Sequence, residues 1–458
     1  MPSPFNWMPA RTSASYDGGC DRKTPHRTSP LTTMPKRNPF QRVVSKIDAA
    51  RERHEARHRP SGFRFALADS IGFLNSAHWD VVTTDRRFFL RRAVLEAIEQ
   101  NCPDNLSPRY ALVYRDHEPV AAVAAQMVDI SGANVWNERE ADGKKKVSLS
   151  RAMAPAARKL AGKIEQRALV AGNLMSWGFD GVAFAEGTKP AEIWPGVAEA
   201  LYRVRQTERL AGQADLVLVK DVTPAEPHAE ALKAFSYRPL ETDPNMVLTI
   251  DPAWKSYDDY LGALDAKYRR NAKDQIKKLA GAGCVLEPLT DLSPHAAELH
   301  RLYQTVQAKA SVKLVSLPES FLPALSRAAK DHFRCTIIRR GERILGFIST
   351  LRDNDTTVGY YIGFDRDAAA EGVPLYLRLL HTTIVDAIGW RSRRLSLGRT
   401  ALEPKAALGA KPEPMSVWLR HRVPAMNWLV RGMLDAVPHA EAPERSPFKN
   451  APPSPPPE

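Results

Sequence analysis

Cysteine is scarce in this chain: four residues in 458, Cys20, Cys102, Cys284 and Cys335, in no CxxC pair and at no regular interval. The scatter excludes a disulfide framework and a cysteine zinc site, and it suits a reducing cytoplasm. Apolar runs approaching the ~18 residues of a membrane span are lacking, and the N-terminus has charges and prolines where a secretory leader carries its apolar core. Neither export nor membrane insertion is expected. GxSxG and GxxxxGK followed by Ser or Thr are also missing. Their absence removes common hydrolase and nucleoside-triphosphatase readings, and no metal is expected.

What is present is ordinary globular material, 43% hydrophobic and 26% charged, long enough for two or three cores. The net charge of +13 invites a nucleic-acid reading, but residues 1–60 hold 12 Lys and Arg against 5 Asp and Glu, leaving only +6 for the rest. The composition divides the chain into a basic, largely disordered tail over 1–60 with one helical segment from Phe40 to Arg59, folded units over 61–250 and 251–436, and a Pro-rich disordered tail over 437–458.

The two units echo each other. Tyr110–Val128 and Cys335–Leu351 each read as an apolar run, a charged turn and a second apolar run, which is a hairpin. Downstream, strand Phe179–Ala185, helix Ala191–Ala211 and strand Asp215–Lys220 match strand Thr357–Phe364, helix Pro374–Gly389 and strand Leu395–Leu397 in order. This points to an internal duplication, each copy pairing antiparallel strands with a βαβ crossover. The join falls near Ile250, after strands Tyr237–Leu240 and Met246–Ile250. Beyond it, Ser256 and Asp259 form a capping-box pattern opening one helix that runs to Gly281. That helix has Leu261, Leu264, Tyr268, Ala272, Ile276 and Leu279 on one face and Lys267, Arg269, Arg270, Lys273, Lys277 and Lys278 on the other. Such a basic face is a solvated surface or a phosphate contact.

The second crossover, Thr356–Thr400, is the more site-like. A strand feeding an exposed helix N-terminus leaves N–H groups and a positive dipole end facing an anion.

Several stretches resemble one family in the correct order. Tyr260–Leu289, with its Tyr-Arg-Arg-Asn run, is similar to the entry helix and first strand of the acetyltransferase-like domain in Fem-type peptidyltransferases and in acetyltransferases associated with cellulose biosynthesis. Leu395–Leu419 resembles the closing strand and connector, with Gly398, Lys405 and Gly409 in family-like positions, and Gly172–Gly187 looks like the matching part of the same group. The resemblance implies an α/β fold of tandem GCN5-related N-acyltransferase (GNAT) domains, each a mixed sheet splayed between its fourth and fifth strands and flanked by helices. It also implies acyl-CoA, such as acetyl-CoA, as co-substrate, its pantetheine lying in the splay and its pyrophosphate at Glu371–Leu375. The family's Gln/Arg-x-x-Gly-x-Gly/Ala turn is replaced here by Arg366, Ala370, Glu371, Gly372 and Val373. In the first copy Gly187, Thr188, Lys189 and Pro190 precede the helix and Trp194 and Pro195 crowd its start. Only the second copy is therefore expected to hold the cofactor, the first shaping an acceptor groove.

The cofactor is expected along Tyr360, Phe364, Arg366, Gly372 and Val373. Acyl transfer to an amine needs a base and a proton donor for the leaving thiolate. Strand alternation sends Tyr360 and Tyr361 to opposite faces, one into the core and the other to the cleft as donor, Tyr361 being the catalytic candidate. Asp365 and Asp367 are candidate bases or turn formers, and Arg399, Glu403 and Lys405 follow the last strand, as site residues or a structural salt link. The acceptor is an amino-bearing sugar, peptide or envelope precursor. Two alternatives stay open: a Fem-type transfer from aminoacyl-tRNA, and a non-catalytic tandem binding module.

Overall fold

The computed structural model describes residues 59–83, 87–131, 165–308 and 314–423, with positions 48, 52, 55, 426, 427, 443 and 445–449 besides. The basic tail, nearly all of the Phe40–Arg59 segment and the last residues of the Pro-rich tail lie outside the described residues.

The first copy opens with β1 (Arg64–Ala68), α1 (Ser76–Thr83) and α2 (Arg92–Gln100), followed by the expected hairpin of β2 (Leu106–Arg115) and β3 (Glu118–Ser131). Its two-residue turn, Asp116–His117, has φ of +48° and +75°, the hand that matches strand twist. Next come β4 (Glu165–Ala171), the short β5 (Val182–Phe184), α3 (Pro190–Thr207), β6 (Leu216–Val222) and β7 (Arg238–Thr249). The crossover strand is β4, which runs parallel to β6 from Ala168↔Leu216 to Ala171↔Val219. The Phe179–Ala185 expectation is corrected here: Val182–Phe184 pairs with β3 off the main path.

The second copy contains α4 (Tyr257–Ala263), α5 (Ala266–Gly281), β8 (Val285–Pro288), α6 (Ala296–Gln307) and α7 (Phe321–Ala329). The hairpin β9 (Phe333–Arg340) and β10 (Arg343–Asp353) follows, then β11 (Thr356–Phe364), α8 (Arg366–Ala370), α9 (Leu375–Gly389), β12 (Arg394–Ser396), α10 (Leu402–Ala407) and β13 (Lys411–His421). The Ser256–Asp259 capping box is present. The single helix expected beyond it is broken at Leu264, whose ψ of 146° is extended. Here the chain end intervenes: Pro447 O accepts from Asp265 N at 2.8 Å, and Leu264 bridges Phe448. Part of the stretch expected to be unstructured is thus docked. Its ring packs against Trp254 and Tyr260 and lies over Gly409, where any Cβ would overlap it.

All described strands join one sheet, ordered β1-β2-β3-β4-β6-β13-β7-β12-β11-β10-β9-β8. Each copy gives its last strand to the other. β7 pairs with β12 of the second copy, and β13 inserts between β6 and β7. The two strands expected at Tyr237–Leu240 and Met246–Ile250 are therefore one long strand that leaves its own copy. One apolar core packs α3 on the first copy's strands, another packs α9 on the second's. A third joins the copies, setting Phe88, Phe89 and Met175 against Leu302, Phe321, Phe347 and Tyr360. Burying these large side chains, at about 1.5–3 kcal/mol each, is what fixes the copies against each other.

Candidate active site

β11 and β12 pair in parallel only from Thr356↔Arg394 to Val358↔Ser396, and beyond Val358 no ladder joins them. The opposite edge of β11 carries a bulge. Its register with β10 shifts between Ile348↔Ile362 and Thr350↔Gly359, so Tyr360 and Tyr361 face one residue, Ser349. The buried Ser349 hydroxyl serves the bulge on both sides, accepting from Tyr361 N at 3.0 Å and donating to Tyr361 O at 3.2 Å.

The bulge also overturns the alternation expected for the two tyrosines. Their rings lie 4.5 Å apart at 74°, and both hydroxyls donate to the carbonyl oxygen of Met175 in the first copy, at 2.7 Å from Tyr360 and 3.1 Å from Tyr361. An extra residue resets the period of two, so neighbours share a side. Burial raises both phenols far above their ordinary range.

After β11, Asp365 caps α8, accepting from Asp367 N at 3.0 Å and Ala368 N at 3.1 Å, and its other oxygen takes the Arg343 guanidinium. Burial alone would raise this carboxyl, but the Ala368 N–H, Arg343 and the Asp367 N–H together hold it below its ordinary value. Gly372, with φ +92°, ends α8 by donating to Ala369 O, and Val373, buried, donates to Ala368 O. The helix expected near Pro374 begins at Leu375.

Two guanidiniums on this crossover are short of partners. Arg366 stacks over Phe364 at 5.2 Å and donates to Thr305 O at 3.2 Å, leaving its Nε buried without a partner. Arg378, in the first turn of α9, is 7% exposed, and its Nε likewise has none. It reaches the Tyr257 hydroxyl at 3.4 Å and meets no carboxylate within 4.0 Å among the described residues. Burial and then Arg378 push His381 down to about 3, so its ring is neutral, with Nδ1 2.8 Å from Tyr257 Oη. Buried and half-buried guanidiniums short of acceptors near a helix start fit the phosphates of an anionic cofactor.

The other wall of the splay is β12 and its continuation. Asn245 Oδ1 accepts from Ser396 Oγ at 3.1 Å and Gly398 N at 3.0 Å, and Ser396 Oγ accepts from Trp177 Nε1 at 2.9 Å. Gly398, with φ +78°, lies under that indole, so a Cβ would sit 3.1 Å from it. Arg399 donates to the buried Asp221 at 3.0 Å, whose other oxygen takes Lys220 Nζ and, at 3.1 Å, Gly178 N. Lys405 is buried with Nζ 3.2 Å from Gly398 O, and burial pulls its ammonium down to about 7. Glu403 stands outside this group, exposed and paired with Arg445.

The structure thus gathers Tyr360, Tyr361, Arg399 and Lys405 about the splay, places Phe364, Arg366, Gly372 and Val373 on the turn after it, makes Asp365 a helix cap, and sends Glu403 to the surface. Sequence reasoning missed Trp177, Asn245, Ser396 and Arg378. Only Trp177 carried a signal, as the lone tryptophan of the family-like Gly172–Gly187 run. The first copy's own slot is filled: Lys220 packs on Gly172 and donates to Ser176 O at 2.9 Å.

Residues 266–405 match the family described as acetyltransferase (GNAT) domain. Over 214 residues the chain is 27% identical to the putative 8-amino-7-oxononanoate synthase 2 of Mycobacterium tuberculosis, a match covering 45% of this chain and only 28% of that protein. Similar solved structures include a tandem GNAT protein from the clavulanic acid biosynthesis pathway, at 13% identity and TM-score 0.44 over 79% of this chain and 99% of that one. FemX is similar at 11% identity and TM-score 0.45, over 78% and 98%. Among the described residues no helix is long and apolar enough to cross a membrane, and no cluster of three metal-binding side chains occurs. Residues 266–405, within the second copy, carry an acetyltransferase (GNAT) domain.

Proposed function

We propose that the second copy, residues 251–436, moves an acyl group from acyl-CoA to an amino-bearing acceptor, while the first, residues 61–250, forms one wall of the site. One observation carries this reading: the pairing of β11 and β12 stops at Val358 and Ser396, directly before a crossover bearing two guanidiniums with partnerless nitrogens. An extended arm can lie in such a gap between strands, and phosphates can sit at the helix start beyond it.

Acyl-CoA supplies the acyl group as a thioester: as the acceptor nitrogen bonds the carbonyl carbon the C–S bond breaks, and CoA leaves as the thiolate and takes up a proton. Arg366 and Arg378 hold phosphate charge, with Gly372 and Val373 shaping the turn. Lys405, with its ammonium pulled down to about 7, is part deprotonated at neutral pH and takes the proton of the acceptor ammonium, directly or through water. Arg399, held by Asp221, sets positive charge beside the splay. Tyr360 and Tyr361 position the Met175 loop. The acceptor classes the reading allows are a sugar, a peptide or an envelope precursor amine.

The test is thermal denaturation with and without acetyl-CoA. Binding at a hundred times the dissociation constant stabilises by about 2.7 kcal/mol, and no shift with acetyl-CoA or longer acyl-CoA sinks the reading. A second reading, transfer from aminoacyl-tRNA, is favoured by the outward face of α5. Lys267, Arg270, Lys273, Lys277 and Lys278 are exposed there. It requires RNA binding that weakens steeply with salt.

A further inference from the structure

The splay between β11 and β12 has two faces. On one, α9 packs Leu379, Leu380 and Ile384 against Leu395 and Leu397. On the other lies a loop of the first copy, and its Trp177 spans the opening. The indole N–H is bonded to Ser396 on β12, its ring is 6.0 Å from that of Tyr360 on β11, and its edge covers Gly398.

The loop is fastened on either side of the tryptophan. Met175 O takes two tyrosine hydroxyls, Ser176 O takes Lys220 Nζ, and Gly178 N donates to Asp221. With residues 175, 176 and 178 tied, the backbone of Trp177 is held at the opening, and turning the indole away breaks its bond to Ser396. Ser396 and Val358 are also the last paired residues, so the indole stands at the point where an arm lying in the splay must end.

We propose that Trp177 is a specificity-determining residue contributed by the first copy, and that it limits the transferred acyl group to a short chain. The inference rests on the acyl-CoA reading and names its donor class. A two-carbon group ends before the indole. A longer alkyl chain would have to occupy the indole's own volume, and making room means breaking the indole's bond to Ser396 or displacing a loop held by four hydrogen bonds.

The experiment measures binding of CoA, acetyl-CoA and octanoyl-CoA to the full chain by titration calorimetry, for the natural protein and for Trp177→Ala and Trp177→Phe. The natural protein is expected to bind octanoyl-CoA at least about tenfold more weakly than acetyl-CoA. Trp177→Ala brings the two within about threefold, and Trp177→Phe, which keeps an aromatic ring and guards against misfolding of the alanine variant, falls between. Equal affinity for the two donors in the natural protein, or an unchanged ratio in both variants, overturns the role of Trp177 while leaving the acyl-CoA reading intact. Failure of CoA and both thioesters to bind the natural protein overturns that reading and this inference with it.

Discussion

Lys405 keeps its ammonium 3.2 Å from the carbonyl oxygen of Gly398 in a site only 3% exposed. Burial lowers its proton affinity from the ordinary 10.5 to about 7. Between those values the unfolded chain carries a proton that the folded chain lacks, so stability rises with pH across this window. Below about 7 both states are protonated and the full cost of burying the charge is felt. Urea denaturation from pH 6.5 to 9.5 should show the rise, and Lys405→Met should lose it. The same variant should abolish the rise in kcat/KM with pH near neutrality that a base of this kind produces.

Two hydroxyls on one acceptor make a coupled pair. Tyr360→Phe or Tyr361→Phe alone leaves Met175 O with a donor and costs about 1 kcal/mol. The double variant leaves a buried carbonyl with neither, and a loss exceeding the sum of the singles by about 1 kcal/mol is expected in a denaturation cycle.

Arg378→Met removes a buried cation that has no acidic partner among the described residues. The protein without ligand should be as stable as the natural one or more so. Affinity for CoA should fall at least about tenfold, the loss of one charged hydrogen bond. Calorimetric titration reads the second effect and thermal unfolding the first.

Asp180 is buried beneath Ser176, and burial, with Asp353 nearby, raises its carboxyl from 3.8 to about 6 against the pull of Arg87 and Lys220. Here the folded state holds a proton the unfolded state has released, so this group's contribution falls as pH rises from about 4 to 6. The stability difference between Asp180→Asn and the natural chain should grow in favour of the variant across that window and level off above it.

Phe448 and Gly409 should couple strongly. Gly409→Ala adds a Cβ at φ +95° and drives it into the Phe448 ring. Its cost, roughly 1–3 kcal/mol, should shrink once Phe448→Ala has removed the ring, leaving the backbone strain alone. Chemical denaturation of the four proteins decides it.

Much of the second copy could be read from local pattern. The β-branched and aromatic run of β11, the three-and-four spacing of α9 and the Ser256–Asp259 box are short-range signals, and each element formed where those signals lay. The misses share a non-local cause. β4, EQRALVA, starts charged and holds two alanines, so its strand character comes from lying between β3 and β6. Alternation failed at Tyr360 and Tyr361 because Ser349, on another strand, holds a bulge open. Ile276 falls on the apolar face expected of α5, yet Gln275 is buried and Ile276 is 39% exposed. Trp177 and Ser396 are 219 residues apart, and no window of sequence sees both.

The exchange of β7 and β13 orders events during synthesis. When residue 250 has left the ribosome, β6 has no neighbour on its outer edge and β7 has no sheet to join, since both wait for residues made later. An uncovered strand edge is a template for pairing with another chain. The edge is closed only when Lys411–His421 emerges, so the first half of this protein cannot finish folding before the second has been made.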